Sequence, residues 1–354
     1  MKKIRYGIVG FGGIAENRIA KEGFGLDVAR FSGHPLAELV GATDINSSRR
    51  YSAEALGLKW YDSIDELLDD KQIDAIFIAT NNSSHAAIAE KSINKGKHCL
   101  IEKPIAHTLS DARKLRDLAK RNNVSLAVDH MMMKNVFNTK AQELIQNGEI
   151  GAVNDISLHM EFLFGSTMEE AETWRCAKPE EIGGPLGDVG THCLYMAEYL
   201  LIDKITEIAC SLTPRTLDIN VENGAFIQFK TSRGLTGSAR VAFNQPRGGL
   251  IGTLSNLGYE VYGSNAVLRS FGTLFQLSGD DSDPVRLRLE LDTGLVSDNI
   301  DPGERLNIYQ LQIGSHAQSV LEKKFTDGSD AIHNLELLFA CYRSAEKGSL
   351  FIKL

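Results

Sequence analysis

The sequence has no C-x-x-C pair, and its five cysteines, Cys99, Cys176, Cys193, Cys210 and Cys341, are odd in number and far apart. Neither a disulfide framework nor a cysteine-based zinc site is expected, no metal is assigned, and a reducing, cytoplasmic setting fits this usage. There is no basic block either: 38 lysines and arginines stand against 46 acidic residues, a formal charge of −8. With nothing to neutralise a row of phosphates, nucleic acid is excluded as a partner class. Long apolar runs are also missing. After Met1-Lys2-Lys3 the few apolar residues are broken by Gly7, Gly10, Gly12 and Gly13, which is neither a signal-peptide core nor a membrane span. No internal repeat and no low-complexity segment is found.

What is present is an ordinary globular composition, 43% hydrophobic and 24% charged, over 354 residues, more than one hydrophobic core usually serves. Two domains are expected, residues 1–128 and 129–354. In the first, Tyr6-Gly7-Ile8-Val9 reads as a buried strand and Gly10-Phe11-Gly12-Gly13-Ile14-Ala15 follows it directly, a G-x-G-x-x-A turn into a helix. Such a turn lets the backbone approach a pyrophosphate, to which the helix offers free N–H groups and its positive end. A second strand, Leu39 to Thr43, ends in Asp44, placed to accept from both adenosine ribose hydroxyls and to repel a 2′-phosphate. NAD is therefore the expected cofactor, with Arg49 and Arg50 near enough to keep NADP open. The interval from Ala15 to Asp44 exceeds the usual roughly 20 residues, and Glu22 to Pro35 reads as an inserted loop.

Ile73 to Ala79 reads as a further strand, stopping at Thr80-Asn81-Asn82-Ser83-Ser84-His85, short polar side chains that can cap a helix or bind a cofactor. Helix Ala86 to Lys95 leads into His98-Cys99-Leu100-Ile101, which ends at Glu102-Lys103-Pro104. Helix Asp111 to Arg121 and strand Ser125 to Val128 complete the alternation of a doubly wound parallel sheet. A cation at a strand's carboxyl end, where open α/β sheets bind ligands, makes Lys103 a candidate for the chemistry.

Beyond Val128 the period changes to two. Ile156, Leu158, Met160, Phe162 and Phe164 alternate with Ser157, His159 and Glu161, and Leu235, Gly237, Ala239, Val241 and Phe243 repeat the two-residue period, with turns at Thr231 to Gly234 and Gly263 to Ala266. The second domain is thus expected to be α+β around a large mixed or antiparallel sheet. Its apolar face needs a cover, from its own helices or from a second copy of the chain. Asp330 to Glu346 reads as a closing helix. In Gly183 to His192, Asp188 and His192 stand four apart and share a face if a helix starts there. A helix cap and a satisfied histidine would explain the pair structurally; imidazole and a carboxylate are also what alcohol oxidation needs to move a proton near neutral pH.

Taken together, Gly10 to Ala15, Asp44, Glu102-Lys103-Pro104, Trp174-Arg175, Gly184 to His192 and Gly328 to Leu354 resemble the Gfo/Idh/MocA family of NAD(P)-dependent oxidoreductases. The resemblance implies a catalytic group of Lys103, Asp188 and His192. It implies cofactor contacts from Gly10, Phe11, Gly12, Gly13, Ile14, Asp44, Thr80, Asn81, Asn82, His85, Glu102 and Lys103. Substrate contacts are expected from Lys103, His130, Met132, Lys134, Trp174, Arg175, Asp188 and His192. Where the family often has an asparagine and an arginine, this sequence has Met131 and Met132, and Lys134 is the nearby cation. Tyr195 stands three residues after His192, where an acidic residue or histidine is common in the family. The implied function is hydride transfer between nicotinamide and a hydroxyl or keto carbon of a sugar, inositol or related polyol, in a homodimer or homotetramer associated through the C-terminal sheet. Two alternatives are a redox-neutral NAD-dependent glycoside-cleaving enzyme and a non-catalytic NAD-binding sensor.

Overall fold

A computed structural model describes residues 2–246, 256–280 and 287–354. The chain divides into two units: the described residues of 1–131, 278–280 and 306–333 form the first, and those of 132–277, 281–305 and 334–354 the second. Residues 278–280 and 306–333 thus return to the first unit, which a split at residue 128 assigns to the other.

The first unit holds six parallel strands, β1 (Ile4–Val9), β2 (Ala37–Thr43), β3 (Lys59–Trp60), β4 (Ala75–Ile78), β5 (His98–Ile101) and β6 (Leu126–Val128), in the order β3-β2-β1-β4-β5-β6. Ala75 to Ile78 and Cys99 to Ile101 are fully buried, as continuous apolar runs in a sheet covered on both faces should be. Strand order reverses between β1 and β4, which places the crevice of a doubly wound sheet at the turns after Val9 and Ile78. The crossover helix Leu109–Asn122 is started by Thr108, whose hydroxyl accepts from Asp111 N at 3.1 Å, and stopped by Asn123 at φ 53°.

The returning helix Ile308–Leu321 packs against this sheet and against the Glu22 to Pro35 insertion. Its polar side chains find partners there: His316 Nδ1 lies 2.7 Å from Tyr6 Oη, and Gln312 Nε2 donates to Val128 O at 2.9 Å. Burial pushes the His316 imidazole down to about 3, so it is a neutral packing group. The insertion is fixed rather than loose. Glu22 is buried and accepts from Asn307 Nδ2 at 2.9 Å and Arg18 Nη1 at 2.7 Å, and His34 Nε2 lies 2.9 Å from Gln310 O. At Gly23 a Cβ would meet Ile313 Cδ1 at 2.8 Å, so glycine sets how closely this segment approaches the returning helix.

The second unit holds the mixed sheet. Its strands are β7 (Val153–Glu161), β8 (Ile205–Leu212), β9 (Gly224–Thr231), β10 (Thr236–Ala242), β11 (Leu257–Gly263), β12 (Val267–Phe271), β13 (Arg288–Asp292), β14 (Ser297–Asn299) and β15 (Ile352–Lys353). They lie in the order β14-β13-β12-β11-β7-β10-β9-β8-β15. β7 and β10 are parallel and the other neighbours antiparallel. Ile156, Leu158 and Met160 are buried on one face, each such side chain contributing about 1.5–3 kcal/mol relative to exposure. The unit's own helices supply the cover: Val136–Gln146 meets β13, and Thr191–Leu201 meets β7 and β10. Ser344 of the helix Ser329–Glu346 accepts from Cys210 N of β8 at 2.9 Å. The other face carries charge, with Arg240 Nε 3.5 Å from Glu161 and Arg269 Nε 3.1 Å from Glu260. No helix among the described residues is long and apolar enough to cross a membrane.

Candidate active site

In the first unit the glycine turn has the geometry a dinucleotide needs. Gly10 sits at φ 86°, and a Cβ there would meet Ala79 O at 2.7 Å, so only glycine lets β1 turn this close to the end of β4. Gly12 and Gly13 are exposed, with open space where a Cβ would be. The chain turns helical from Gly13 and is π-wound over Ala15–Gly23, with Phe24 N donating to Ile19 O at 2.8 Å. Asp44, at the end of β2, accepts from Phe11 N at 2.6 Å through Oδ2 and from Asn46 N at 2.8 Å through Oδ1. Each carboxylate oxygen keeps a second lone pair for a ribose hydroxyl. The cradle fits NAD: the turn Gly10 to Ile14 would hold the pyrophosphate, and Asp44 the ribose.

Thr80 and Asn81 follow β4 on the same rim. Asn81 is the N-cap of helix Asn82–Asn94 without a side-chain capping bond, and Ser84 Oγ instead donates to Thr80 Oγ1 at 2.7 Å. His85 has a different place from Thr80. It is fully buried, with Nδ1 2.8 Å from Pro104 O and Nε2 3.1 Å from Thr80 O. It braces the turn after β4 against the turn after β5, the one that carries Lys103. Glu102 N donates to Ile78 O at 2.9 Å, which holds the β5 register up to the half-buried Lys103 and its cis bond to Pro104.

Behind that turn lies a carboxyl group the sequence did not single out. Asp129 is 1% exposed and neither of its oxygens has a partner among the described residues. Tyr309 Oη and Gln312 Oε1 of the returning helix are likewise buried without partners. Burial first, and the Glu102 charge second, hold Asp129 well above the usual carboxylate range. A carboxyl raised in the fold favours the folded state below its ordinary pKa. That stability is lost as pH rises from there through the folded value. We expect Asp129→Asn, which keeps the shape and cannot ionise, to melt above the wild type at pH 8, the gap closing towards pH 4. The shift should be roughly 2–4 °C for each kcal/mol recovered. A gap independent of pH in thermal melts would refute a protonated Asp129.

The second unit carries the Asp188 and His192 pair on an unusual turn. Leu186–Gly190 is π-wound and runs into helix Thr191–Leu201. Asp188 does not cap this helix; it sits inside the π turn, where its Oδ2 accepts from Arg175 Nε at 3.1 Å. Arg175 in turn lies over the Trp174 ring at 4.7 Å. Trp174, Arg175 and Asp188 are thus linked. His192, 4% exposed, has Nδ1 2.7 Å from Tyr195 Oη, one helical turn on. Thr191 Oγ1 reaches Asn334 Oδ1 at 2.5 Å, pinning the start of the helix. Gly184, at φ 83°, leaves room for the Glu222 carboxylate, which a Cβ would meet at 2.4 Å and which accepts from Leu186 N at 2.9 Å. Tyr195 was visible in the sequence from its spacing to His192, whereas Glu222 and Asn334 are distant in sequence and carry no local signal.

The segment between carries less polarity than the family pattern implies. His130 is 6% exposed, and Met131 and Met132 are buried, so Met132 is a packing side chain. Lys134 closes the 3-10 turn Met131–Lys134, and burial lowers its ammonium group from the ordinary lysine value. No group of acidic, histidine or cysteine side chains among the described residues has the arrangement of a metal site.

Known proteins share this architecture. Residues 4–130 match the GFO/IDH/MocA "Oxidoreductase family, NAD-binding Rossmann fold", and residues 138–269 match the GFO/IDH/MocA C-terminal domain. Glucose-6-phosphate 3-dehydrogenase of Bacillus subtilis (strain 168) is 34% identical over 211 residues, covering 58% of this chain and 56% of that one. The match therefore spans about half of that relative's length. The 1,5-anhydro-D-fructose reductase of Ensifer adhaerens is 26% identical over 266 residues, 75% of this chain and 74% of the relative. Among solved structures, aldose-aldose oxidoreductase from Caulobacter crescentus superposes with a TM-score of 0.84 at 20% identity over all of both chains. An inositol dehydrogenase homolog from Azotobacter vinelandii, complexed with NAD+, does so with a TM-score of 0.81 at 20% identity, over 100% of this chain and 98% of that one. At that identity the likeness is one of fold. With both of the family's domains matched over most of its length, the chain belongs to the GFO/IDH/MocA oxidoreductase family.

Proposed function

We propose that the protein is an NAD(H)-dependent dehydrogenase or reductase acting on a hydroxyl or keto carbon of a sugar, inositol or related polyol. The observation that carries this reading is the fixed imidazole: His192 is buried, with Nδ1 engaged by Tyr195 Oη at 2.7 Å, on a helix that follows directly on the π turn where Arg175 holds Asp188. The relatives' names, a sugar-phosphate dehydrogenase and an anhydrofructose reductase, point to the same substrate class. Bound NAD supplies the hydride acceptor. Because Nδ1 is engaged, His192 takes the substrate hydroxyl proton at Nε2 in the oxidative direction and returns it in reduction. The family resemblance gives Lys103, on the first unit, the role of hydrogen-bonding a substrate oxygen and offsetting its developing negative charge. Asp188, held by Arg175, receives a neighbouring substrate hydroxyl, and Trp174 and Lys134 of the same unit add to the substrate site, with His130 the contribution expected from the first unit.

The test is NADH absorbance with purified protein, NAD and a panel of inositols, aldoses, ketoses and sugar acids. A substrate-dependent rise supports the dehydrogenase. Product formed without net NADH would replace it with the redox-neutral glycoside-cleaving reading, and NAD binding without turnover of any compound would replace it with a sensor. The five cysteines, all buried and unpaired, suit a reducing cytoplasm. The charged face of the mixed sheet, with Ser157, His159 and Glu161 in a row and Arg240 beside them, suits a second copy of the chain. Sedimentation should give a homodimer or homotetramer.

A further inference from the structure

We infer that Glu16 is a determinant of cofactor identity: it engages the guanidinium of Arg49, the nearest candidate for binding a 2′-phosphate, and so makes the protein select NAD over NADP. The inference rests on the NAD-dependent reading above and assigns its selectivity to a residue outside the glycine turn and outside Asp44.

The geometry is that of a latch on the Phe11 peptide. Asp44 Oδ2 holds Phe11 N at 2.6 Å from one side, and Arg49 Nε donates to Phe11 O at 2.6 Å from the other. Arg49 Nη2 reaches Glu16 Oε2 at 2.5 Å. Glu16 Oε1 accepts from Lys21 Nζ at 2.8 Å, so this carboxylate is held at both oxygens. The Lys21 hydrogen bond, with Arg49 adding to it, keeps the Glu16 carboxyl below its usual range despite partial burial. Two of the three guanidinium nitrogens of Arg49 are therefore committed to the turn and its helix. Arg50, the other arginine near Asp44, is engaged elsewhere, with Nε 2.8 Å from Glu54 of its own helix and Nη1 3.6 Å from Asp62 after β3.

Charge decides the direction. Asp44 and Glu16 are balanced by Arg49 and Lys21, and a ribose with two hydroxyls leaves that balance intact. A 2′-phosphate would bring close to two negative charges against Asp44. Binding it through Arg49 would rely on the remaining N–H donors of a guanidinium whose charge is already shared with Glu16 and whose orientation is held by Phe11 O. A shared arginine cannot serve both at full strength. Weakening the Glu16 side should therefore favour NADP without touching the groups that bind NAD.

The experiment is fluorescence titration of NADH and NADPH into the wild type, Glu16→Gln, and Glu16→Gln combined with Arg49→Leu, with thermal melts as a control for folding. The wild type should bind NADH more tightly. Glu16→Gln should tighten NADPH by about tenfold, the worth of roughly 1.4 kcal/mol, and move NADH by less than about twofold. The double variant should lose the gain. Should Glu16→Gln fail to fold, Glu16→Asp keeps a charge beside Lys21 while drawing the oxygen back from Arg49, and is expected to shift NADPH in the same direction. A wild type that prefers NADH with NADPH affinity unmoved by the Glu16 variants would overturn the latch and leave the NAD reading standing. A gain that survives loss of Arg49 would overturn it as well, since the effect would then be one of net charge. A wild type that prefers NADPH, or binds neither, would overturn both.

Discussion

His192→Ala should turn over its substrate about 10²–10⁴-fold more slowly than the wild type, the usual cost of removing a positioned proton-transfer group, with NADH binding unchanged. The effect follows from how the ring is held. His192 lies in a helix that is buried nearly throughout, and Tyr195 Oη fixes its Nδ1 at 2.7 Å, so the ring presents Nε2 in one orientation. Alanine removes the acceptor and leaves the Tyr195 hydroxyl with one partner fewer. Tyr195→Phe isolates the second effect: the base stays, and only its orientation is released. That variant should lose far less, about the fivefold that one hydrogen bond of roughly 1 kcal/mol allows. Undiminished turnover in His192→Ala at its pH optimum would sink the assignment, and an equal loss in both variants would mean that Tyr195, not His192, carries the proton.

The pattern of what the sequence revealed follows the range of the forces involved. β4 and β5 could be placed because Ala75 to Ile78 and Cys99 to Ile101 are continuous apolar runs closed by polar turns. β7 was equally legible, since the burial of Ile156, Leu158 and Met160 repeats the alternation of its residues. The two-residue β3 at Lys59–Trp60 has no such signature, being an edge strand. The return of residues 306–333 to the first unit was not legible either. Helix Ile308–Leu321 carries Gln312 and His316 on its buried side, and their partners, Val128 O and Tyr6 Oη, are far away in sequence. The candidate site divides in the same way. Asp44, Lys103, Asp188 and His192 could be named from short motifs, while their supports could not: the Arg49 grip on Phe11, the His85 brace under Pro104, and the Glu222 carboxylate beneath Gly184 are long-range contacts. The π winding of Leu186–Gly190 explains why Asp188 is not the helix cap that its position suggested.

Lys103→Ala should cost roughly 10²–10³ in kcat, as loss of an oxyanion-stabilising group does, with KM changed much less. Two backbone contacts hold Lys103 in place without involving its own side chain: Glu102 N on Ile78 O, and Pro104 O against the His85 ring. Alanine at 103 therefore removes the ammonium and leaves the turn intact, so the loss reports charge stabilisation and not folding. Lys103→Arg should not restore activity, because a planar guanidinium places its charge and its donors differently from a compact ammonium. A small primary amine added to Lys103→Ala should restore part of the rate, since it returns the missing donor to a turn that has kept its shape. His85→Ala provides the contrast: there the ammonium remains, but the brace under Pro104 is lost, and added amine should do nothing. If Lys103→Ala raised KM and left kcat at the wild-type value, Lys103 would be binding ground state and transition state alike. The negative charge that develops on the substrate oxygen would then have to be met by another donor.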